Sequence, residues 1–310
     1  MGARAAPLVG RRAVDALDRP EAGRAAARRG RRPMIPISDH NPVRRLPIVT
    51  LLLIVACVVV YFAVQPTGTP ELYWGGIVEE LDEEDLRFVV DNAAIPCELV
   101  EGRPLTEGEY NQTFGEGNND FTACGDAPGP AHSSGKSVYA AVLTSVFLHG
   151  SIAHLFGNVL FLWVFGNNVE QRARWLRYLL LYLVGGIVAT AAHVAISPSS
   201  TIPIIGASGA IAAVMGAYFV LWPSTRIKTV IVIAPVFLRK VMALWLLVVW
   251  LAQNLLLVGL SSGVAWAAHL NGFAFGALVG LWWRAEDRRR ADAMPEPPAA
   301  PAPADASPPK

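Results

Sequence analysis

The sequence predicts an all-α membrane protein built from six transmembrane helices, and two observations lead to this fold class. Of the 310 residues, 53% are hydrophobic and only 16% are charged, whereas soluble domains carry about 25% charged residues. Charged residues are also absent from long stretches, and a helix needs roughly 20 apolar residues to cross a bilayer. The stretches without Asp, Glu, Lys or Arg are Leu46–Pro70, Ser137–Val169, Tyr178–Thr225 and Val241–Trp283.

The first two stretches are long enough for one span each, and the last two for two spans each. Clusters of turn residues at 197–200 and 259–263 divide the longer stretches. The apolar run Thr229–Pro235 is too short to span, and we expect it to be interfacial or re-entrant. The six predicted spans are about Leu46–Val64, His154–Asn168, Leu176–Ile196, Ala207–Trp222, Val241–Val258 and Gly263–Trp283.

The positions of Arg and Lys predict how the spans are oriented, because short loops rich in these residues stay in the cytoplasm. Such residues lie near both termini, between the second and third spans, and between the fourth and fifth spans. We expect a multi-pass protein of the plasma membrane, in a prokaryote, with both termini cytoplasmic. The residues concerned are Arg44, Arg45, Arg172, Arg174, Arg177, Arg226, Lys228, Arg239, Lys240, Arg284 and Arg288–Arg290.

Composition divides the chain into three parts. An Arg-rich cytoplasmic tail (1–45) and a Pro/Ala-rich tail (291–310) are expected to be disordered, and the membrane domain covers 46–290. The first apolar core is long enough to remain as a span, so it is not interpreted as a signal peptide. An acidic outer loop, about 66–137, separates the first two spans. Its cysteines, Cys97 and Cys124, could form a disulfide in an oxidising compartment, whereas Cys57 is expected to pack within the first span.

Polar residues inside predicted spans are candidate functional residues, because lipid offers them no hydrogen-bond partner. Ser208 stands in the motif Gly206-Ala207-Ser208-Gly209 at the start of the fourth span, and His269 lies at a similar depth in the sixth. Helices approach closely in lipid through small residues. The sixth span has a glycine at every fourth position on the face that carries His269, namely Gly272, Gly276 and Gly280. The pattern predicts that these spans pack together and bring a nucleophile to its base.

The second span adds His149, His154 and Asn158 near the same depth. His154 and Asn158 are four residues apart on one helix face, so their N–H donors could converge on a developing oxyanion. A hydrogen-bond network between helices would explain the same residues. The spans lack an HExxH motif and a carboxylate beside these histidines, so no metal or other cofactor is expected. His193, in the third span, has no comparable setting and is interpreted as structural.

Taken together, these residues resemble the rhomboid family of intramembrane serine proteases over Leu46–Trp283. The motif around Ser208, the pair Ala268-His269 with its following glycines, and the group around His154 carry the similarity; Glu170 also matches an acid that the family often has. The resemblance implies a six-helix rhomboid-like bundle in which Ser208 is the nucleophile and His269 the general base, without a third carboxylate. It also implies an oxyanion hole formed by His154, Asn158 and the backbone N–H of Ser208, with Glu170 as a structural anchor.

By the same resemblance, the partners are single-span or multi-span membrane-protein substrates and the lipid bilayer, and not nucleic acid. The sequence departs from the family twice. Ala212 stands where an aromatic residue often follows the nucleophile by one turn, and no Trp-Arg pair precedes His149. The alternatives are a catalytically inactive rhomboid-like client-binding protein, a small-molecule transporter or channel, and a membrane acyltransferase or lipase. Intramembrane acids and paired broken helices, which are typical of transporters, are not evident in the sequence.

Overall fold

A computed structural model of the chain describes residues 34–39, 41, 45–66, 83–115, 120–231, 237–256 and 266–293, most of which are helical. A π-helical turn, Val60–Val64, prolongs α1, and a 3₁₀ turn, Ser145–Phe147, prolongs α5. The helices in this part of the chain are α1 (Ile48–Val59), α2 (Glu83–Asn92), α3 (Pro96–Glu101), α4 (Glu107–Phe114), α5 (Ala141–Thr144), α6 (Ile152–Ala173), α7 (Trp175–Ile196), α8 (Ser208–Leu221), α9 (Ala243–Leu256) and α10 (Trp266–Asp292). The strands are β1 (Met34–Asp39), β2 (Arg226–Ile231) and β3 (Phe237–Met242).

The six predicted spans overlap α1 with its π-helical turn, α6, α7, α8, α9 and α10. Among the described residues, α6 and α7 are long and apolar enough to cross a membrane, at 22 residues each, whereas α1, α8 and α9 are apolar but shorter. Helix α7 has exposed apolar side chains, including Leu176, Leu180 and Ile187. Apolar surface of this kind is typical of a helix that faces lipid or a partner.

Helix α8 lies at the centre of the helices, in contact with α6, α7 and α10. Every residue from Ala210 to Tyr218 is buried, and many of them are small, so neighbouring helices approach closely. A Cβ atom at Gly276 of α10 would overlap the carbonyl oxygen of Ala213, and one at Gly185 of α7 would overlap the Ala213 side chain. The packing of the fourth span against the sixth, predicted from glycine spacing, is therefore confirmed.

The described residues of the predicted outer loop form three helices, α2, α3 and α4. We call residues 83–115 and 120–137 the α2–α4 unit. Its helices follow from local sequence, because Pro96 opens α3 and Thr106 forms a capping box with Glu109 at the start of α4. Cys97 and Cys124 form the disulfide that the sequence allowed. The acidic segment is thus a folded unit and not an irregular spacer over its described length.

The all-α prediction is wrong in one respect, because β1, β2 and β3 form an antiparallel sheet in that order. Strand β1 lies within the 1–45 tail that was predicted to be disordered. Thr229, from the run expected to be interfacial or re-entrant, belongs to β2. Buried Ile227 and Thr229 alternate with exposed Arg226 and Lys228, which is the period-two pattern of a strand with one covered face.

Other predictions fall outside the described residues. These are the disorder of residues 1–33 and 294–310 and the turn at 259–263. The last helix can be compared only from Trp266 onwards, and it continues past the predicted span to Asp292. An ion pair between Arg177 and Glu286, with N and O atoms 3.0 Å apart, ties this extension to α7.

Candidate active site

Ser208 is the first residue of α8, directly after a turn that only glycine suits. Gly206 has φ +104°, and a Cβ atom there would lie 2.6 Å from Cε1 of His154. Both the left-handed backbone and the close approach of an imidazole therefore favour glycine at this position. The backbone N–H of Ser208, in the first turn of α8, has no partner four residues earlier within the helix.

The structure brings Ser208 and His269 together. Oγ of Ser208 lies 2.7 Å from Nε2 of His269, within hydrogen-bond distance. The two residues come from α8 and α10, whose backbones meet at Gly209, next to Ser208, and at Gly272, about one turn after His269. A Cβ atom at Gly272 would overlap the carbonyl oxygen of Gly209. The close helix contact predicted from the glycines is thus what places the imidazole beside the hydroxyl.

A third side chain, which the sequence interpretation missed, completes this hydrogen-bond chain. Oδ1 of Asn254, on α9, lies 2.6 Å from Nδ1 of His269, and Nδ2 of Asn254 donates to the carbonyl of Trp250 at 2.9 Å. Asn254 is buried. The available signal was an amide inside an apolar span fifteen residues before His269, and a buried polar residue in a span is a functional candidate.

The ring of His269 also packs near an aromatic residue, although not from the expected helix. Ala212 gives α8 no ring to offer, but the Trp250 ring centroid lies 5.8 Å from that of His269, at an interplanar angle of 43°. Helix α9 therefore supplies both a hydrogen-bond acceptor and an aromatic neighbour to the imidazole.

His154 and Asn158 of α6 approach the turn that precedes Ser208. A Cβ atom at Gly206 would lie 3.4 Å from Nδ2 of Asn158, in addition to its overlap with His154. Nδ2 of Asn158 is buried and has no hydrogen-bond partner among the described residues. An orphaned donor of this kind is costly in a protein interior, and it suits a site where an oxyanion forms only during reaction.

His149 does not reach Ser208 directly, but it supports His154. Its ring lies edge-on to that of His154 with centroids 5.1 Å apart. Gln65 holds the backbone of His149 with two hydrogen bonds, of 3.0 Å to the N–H and 3.1 Å to the carbonyl. The structural role assigned to His193, in the last turn of α7, stays a prediction.

Glu170 lies at the opposite end of α6 and anchors α1. Its carboxylate accepts hydrogen bonds from the backbone N–H of Val49 at 2.9 Å and of Thr50 at 2.8 Å, and from the Thr50 hydroxyl at 2.8 Å. Pro47 precedes α1 and offers no side-chain hydrogen bond to its first turn. The carboxylate of Glu170 therefore satisfies N–H groups that the start of a helix leaves unpaired, as a structural anchor would.

Comparison with known proteins identifies the family. Residues 136–285 match the model of the Rhomboid domain, and this segment contains Ser208, His269, His154 and Asn158. The rhomboid protease GluP of Bacillus subtilis (strain 168) is 42% identical over 85 residues, which are 27% of this chain and 16% of that protein. RHOMBOID-like protein 4 of Arabidopsis thaliana is 32% identical over 143 residues, 45% of this chain and 33% of that one.

RHOMBOID-like protein 5 of Arabidopsis thaliana is 27% identical over 140 residues, again 45% of this chain, and 42% of its own length is covered. The chain thus spans less than half of the length of each of these relatives. Members of this family are integral membrane proteins, in agreement with the length and apolar composition of α6 and α7. From the domain match and these relatives, residues 136–285 of this chain belong to the rhomboid family.

Proposed function

We propose that this chain is an intramembrane serine endopeptidase that cleaves membrane proteins in or near their transmembrane segments. The observation that carries the proposal is the 2.7 Å distance between Oγ of Ser208 and Nε2 of His269, inside a group of apolar helices. The orphaned amide of Asn158 beside the same turn supports it, as does the similarity to a relative named as a rhomboid protease.

In this mechanism, Nε2 of His269 takes the proton of Ser208 while Oγ attacks the scissile carbonyl carbon. The oxyanion that forms accepts hydrogen bonds from the backbone N–H of Ser208 and from the side chains of His154 and Asn158. His269 then gives its proton to the leaving amine nitrogen, which leaves an acyl-enzyme on Oγ. Water attacks this ester with His269 again as base, and the new carboxylate departs.

The active form has six spans, formed by α1 with its π-helical turn and by α6 to α10, in the plasma membrane of a prokaryote. Both termini lie in the cytoplasm, and the Ser208 end of α8 faces the outside, where water can enter. Substrates are single-span or multi-span membrane proteins. Because the substrate helix must unwind before its carbonyl reaches Ser208, helix-weak residues near the outer membrane face are preferred.

A cleavage assay in liposomes with a single-span reporter tests the proposal. We expect cleavage by the parent protein, no cleavage by Ser208→Ala or His269→Ala, and a loss of about 100-fold in Asn158→Ala. Ser224→Ala, an exposed serine beyond the other end of α8, should retain parent activity, and EDTA should not inhibit. A fluorophosphonate should label Ser208.

Two outcomes would count against the proposal: cleavage that persists without Ser208, or cleavage that requires a metal ion. A folded protein that binds the reporter but neither cleaves it nor reacts with fluorophosphonate would instead be an inactive client-binding member of the family.

A further inference from the structure

The ring of His269 has a hydrogen-bond partner on each nitrogen, and the two partners differ in what they can do. Ser208 lies 2.7 Å from Nε2, and Oδ1 of Asn254 lies 2.6 Å from Nδ1. A neutral imidazole carries a single N–H, so one nitrogen donates and the other accepts. For His269 to remove the Ser208 proton, the lone pair must be on Nε2 and the proton on Nδ1.

The orientation of the Asn254 amide selects this arrangement. Its Nδ2 donates to the carbonyl of Trp250, one turn earlier on α9, at 2.9 Å. If the amide were rotated by 180°, Oδ1 would face that carbonyl and two acceptors would meet. Oδ1 is therefore directed at His269, and an amide oxygen can only accept, so Nδ1 must carry the proton.

We infer that Asn254 is a positioning residue, which holds His269 in the Nδ1–H tautomer and fixes the plane of its ring. The inference rests on the proposed function of Ser208 and His269. It extends the pair to a chain of three side chains from three helices: α8, α10 and α9. Asn254 touches neither substrate nor reacting atoms, and it acts only through His269.

An amide suits this position better than a carboxylate because of its surroundings. When His269 takes the proton of Ser208, both ring nitrogens carry protons, and the bond from Nδ1–H to Asn254 becomes charge-assisted and stronger. Asn254 thus stabilises the imidazolium more than the neutral ring. A carboxylate would do so more strongly, but its own charge would have to be buried between apolar helices before the reaction.

Trp250 gives α9 a second contact with the same ring. Its backbone carbonyl orients Asn254, and its indole lies near the imidazole with centroids 5.8 Å apart. Because Trp250 and Asn254 are one turn apart, a single turn of α9 limits both the tilt of His269 and its tautomer. The ring of Trp250, on α9, thus gives His269 the aromatic neighbour that Ala212 of α8 does not provide.

The test compares Asn254→Ala and Asn254→Asp with the parent and with Gln253→Ala, a change at the preceding residue of α9. For Asn254→Ala we expect kcat to fall about 10- to 100-fold with KM unchanged, because a hydrogen bond that strengthens in the transition state is lost. The fluorophosphonate labelling rate should fall equally.

Asn254→Asp keeps an acceptor and should recover activity at high pH. The acidic limb of its pH–rate profile should lie at higher pH than in the parent, since a carboxylate favours the protonated His269 ring. Gln253→Ala should match the parent.

Nitrogen NMR on protein with 15N-labelled histidine reads the tautomer without relying on activity, and His269→Ala assigns the signal. We expect the parent to show a proton on Nδ1, and Asn254→Ala to show a mixture or a proton on Nε2. Unchanged tautomer or kcat in Asn254→Ala would overturn the inference, as would equal losses in both Asn254 variants together with lowered thermal stability. Cleavage by Ser208→Ala would instead refute the proposed function, while the NMR result would still report on Asn254.

Discussion

Adding one methyl group at Gly276 should separate Ser208 from His269, because α8 and α10 touch through their backbones. A Cβ atom at this position would overlap the Ala213 carbonyl oxygen and lie 2.7 Å from the Ala213 Cα. Ordinary contacts of a Cβ atom begin at 3.4 Å, so relief of the contact with Cα alone requires the helices to part by about 0.7 Å, and relief of the closer contact with the carbonyl oxygen requires more. Neither neighbour is a flexible side chain, and the strain cannot be relieved by a rotamer change.

Gly276 is seven residues from His269, or about 10 Å along the helix at 1.5 Å per residue. If α10 shifts as a rigid rod, the 2.7 Å distance from Ser208 to His269 becomes at least about 3.4 Å, too long for a good hydrogen bond. A displacement near 1 Å costs about 100-fold in rate, and overpacking destabilises a core by roughly 1–3 kcal/mol. We therefore expect Gly276→Ala to fold with a lowered Tm and to cleave about 100-fold more slowly.

The assay is reporter cleavage in liposomes, measured well below Tm and normalised to folded protein. Gly186→Ala is the matched control: it adds the same methyl group to α7 on another side of α8, where the nearest atom is 3.4 Å away. This variant should keep parent activity. The reasoning is refuted if Gly276→Ala cleaves like the parent, or if both variants lose activity to the same extent.

The remaining predictions concern residues that support the site. Serine in place of Cys97 or Cys124 removes a disulfide that closes 27 residues; this should lower stability by about 3.5 kcal/mol, and an unchanged Tm would contradict it. Burial raises the pKa of Glu109, but hydrogen bonds from Arg103 and two backbone N–H groups outweigh this and lower it to about 2. Tm should therefore fall as the pH drops from about 4.5 towards 2, and Glu109→Gln should weaken that dependence. Glu170→Ala leaves buried donors unpaired and should lower stability by about 3 kcal/mol in thermal unfolding; no change would exclude the anchor role.

Much of the helical arrangement could be predicted because it depends on local composition. The absence of charge places the long apolar helices, and glycine spacing indicates which of them touch, as at Gly272 and Gly276. The predicted pairing of Ser208 with His269 follows from the same contact. Asn158 could also be placed on the correct helix face, since four-residue spacing fixes its side relative to His154.

The missed features depend on partners that are distant along the chain. An amide inside an apolar span marks Asn254 as a candidate, but its partner cannot be read from local sequence, because its role arises only when α9 lies beside His269. Strand β1 pairs with β2 almost two hundred residues later, so no hairpin signal was available. The α2–α4 unit was interpreted as a loop because its helices are short and polar, and short helices gain most of their stability from tertiary contacts.

The hydrogen bonds around Ser145 show why the α2–α4 unit belongs to the site. Ala94 belongs to this unit, and its backbone N–H donates to the Ser145 hydroxyl at 2.6 Å. The carbonyl of Ser145 accepts a hydrogen bond from the backbone N–H of Gly206 at 2.9 Å. Ile204 donates to Ala94 at 2.8 Å. The turn before Ser208 is thus held from one side by the disulfide-bonded unit, while α9 holds the histidine from another. Because these supports belong to different parts of the fold, local opening of either would disturb the turn before Ser208 or the orientation of the His269 ring while α8 and α10 stay packed. Activity should therefore be lost before the helices unfold.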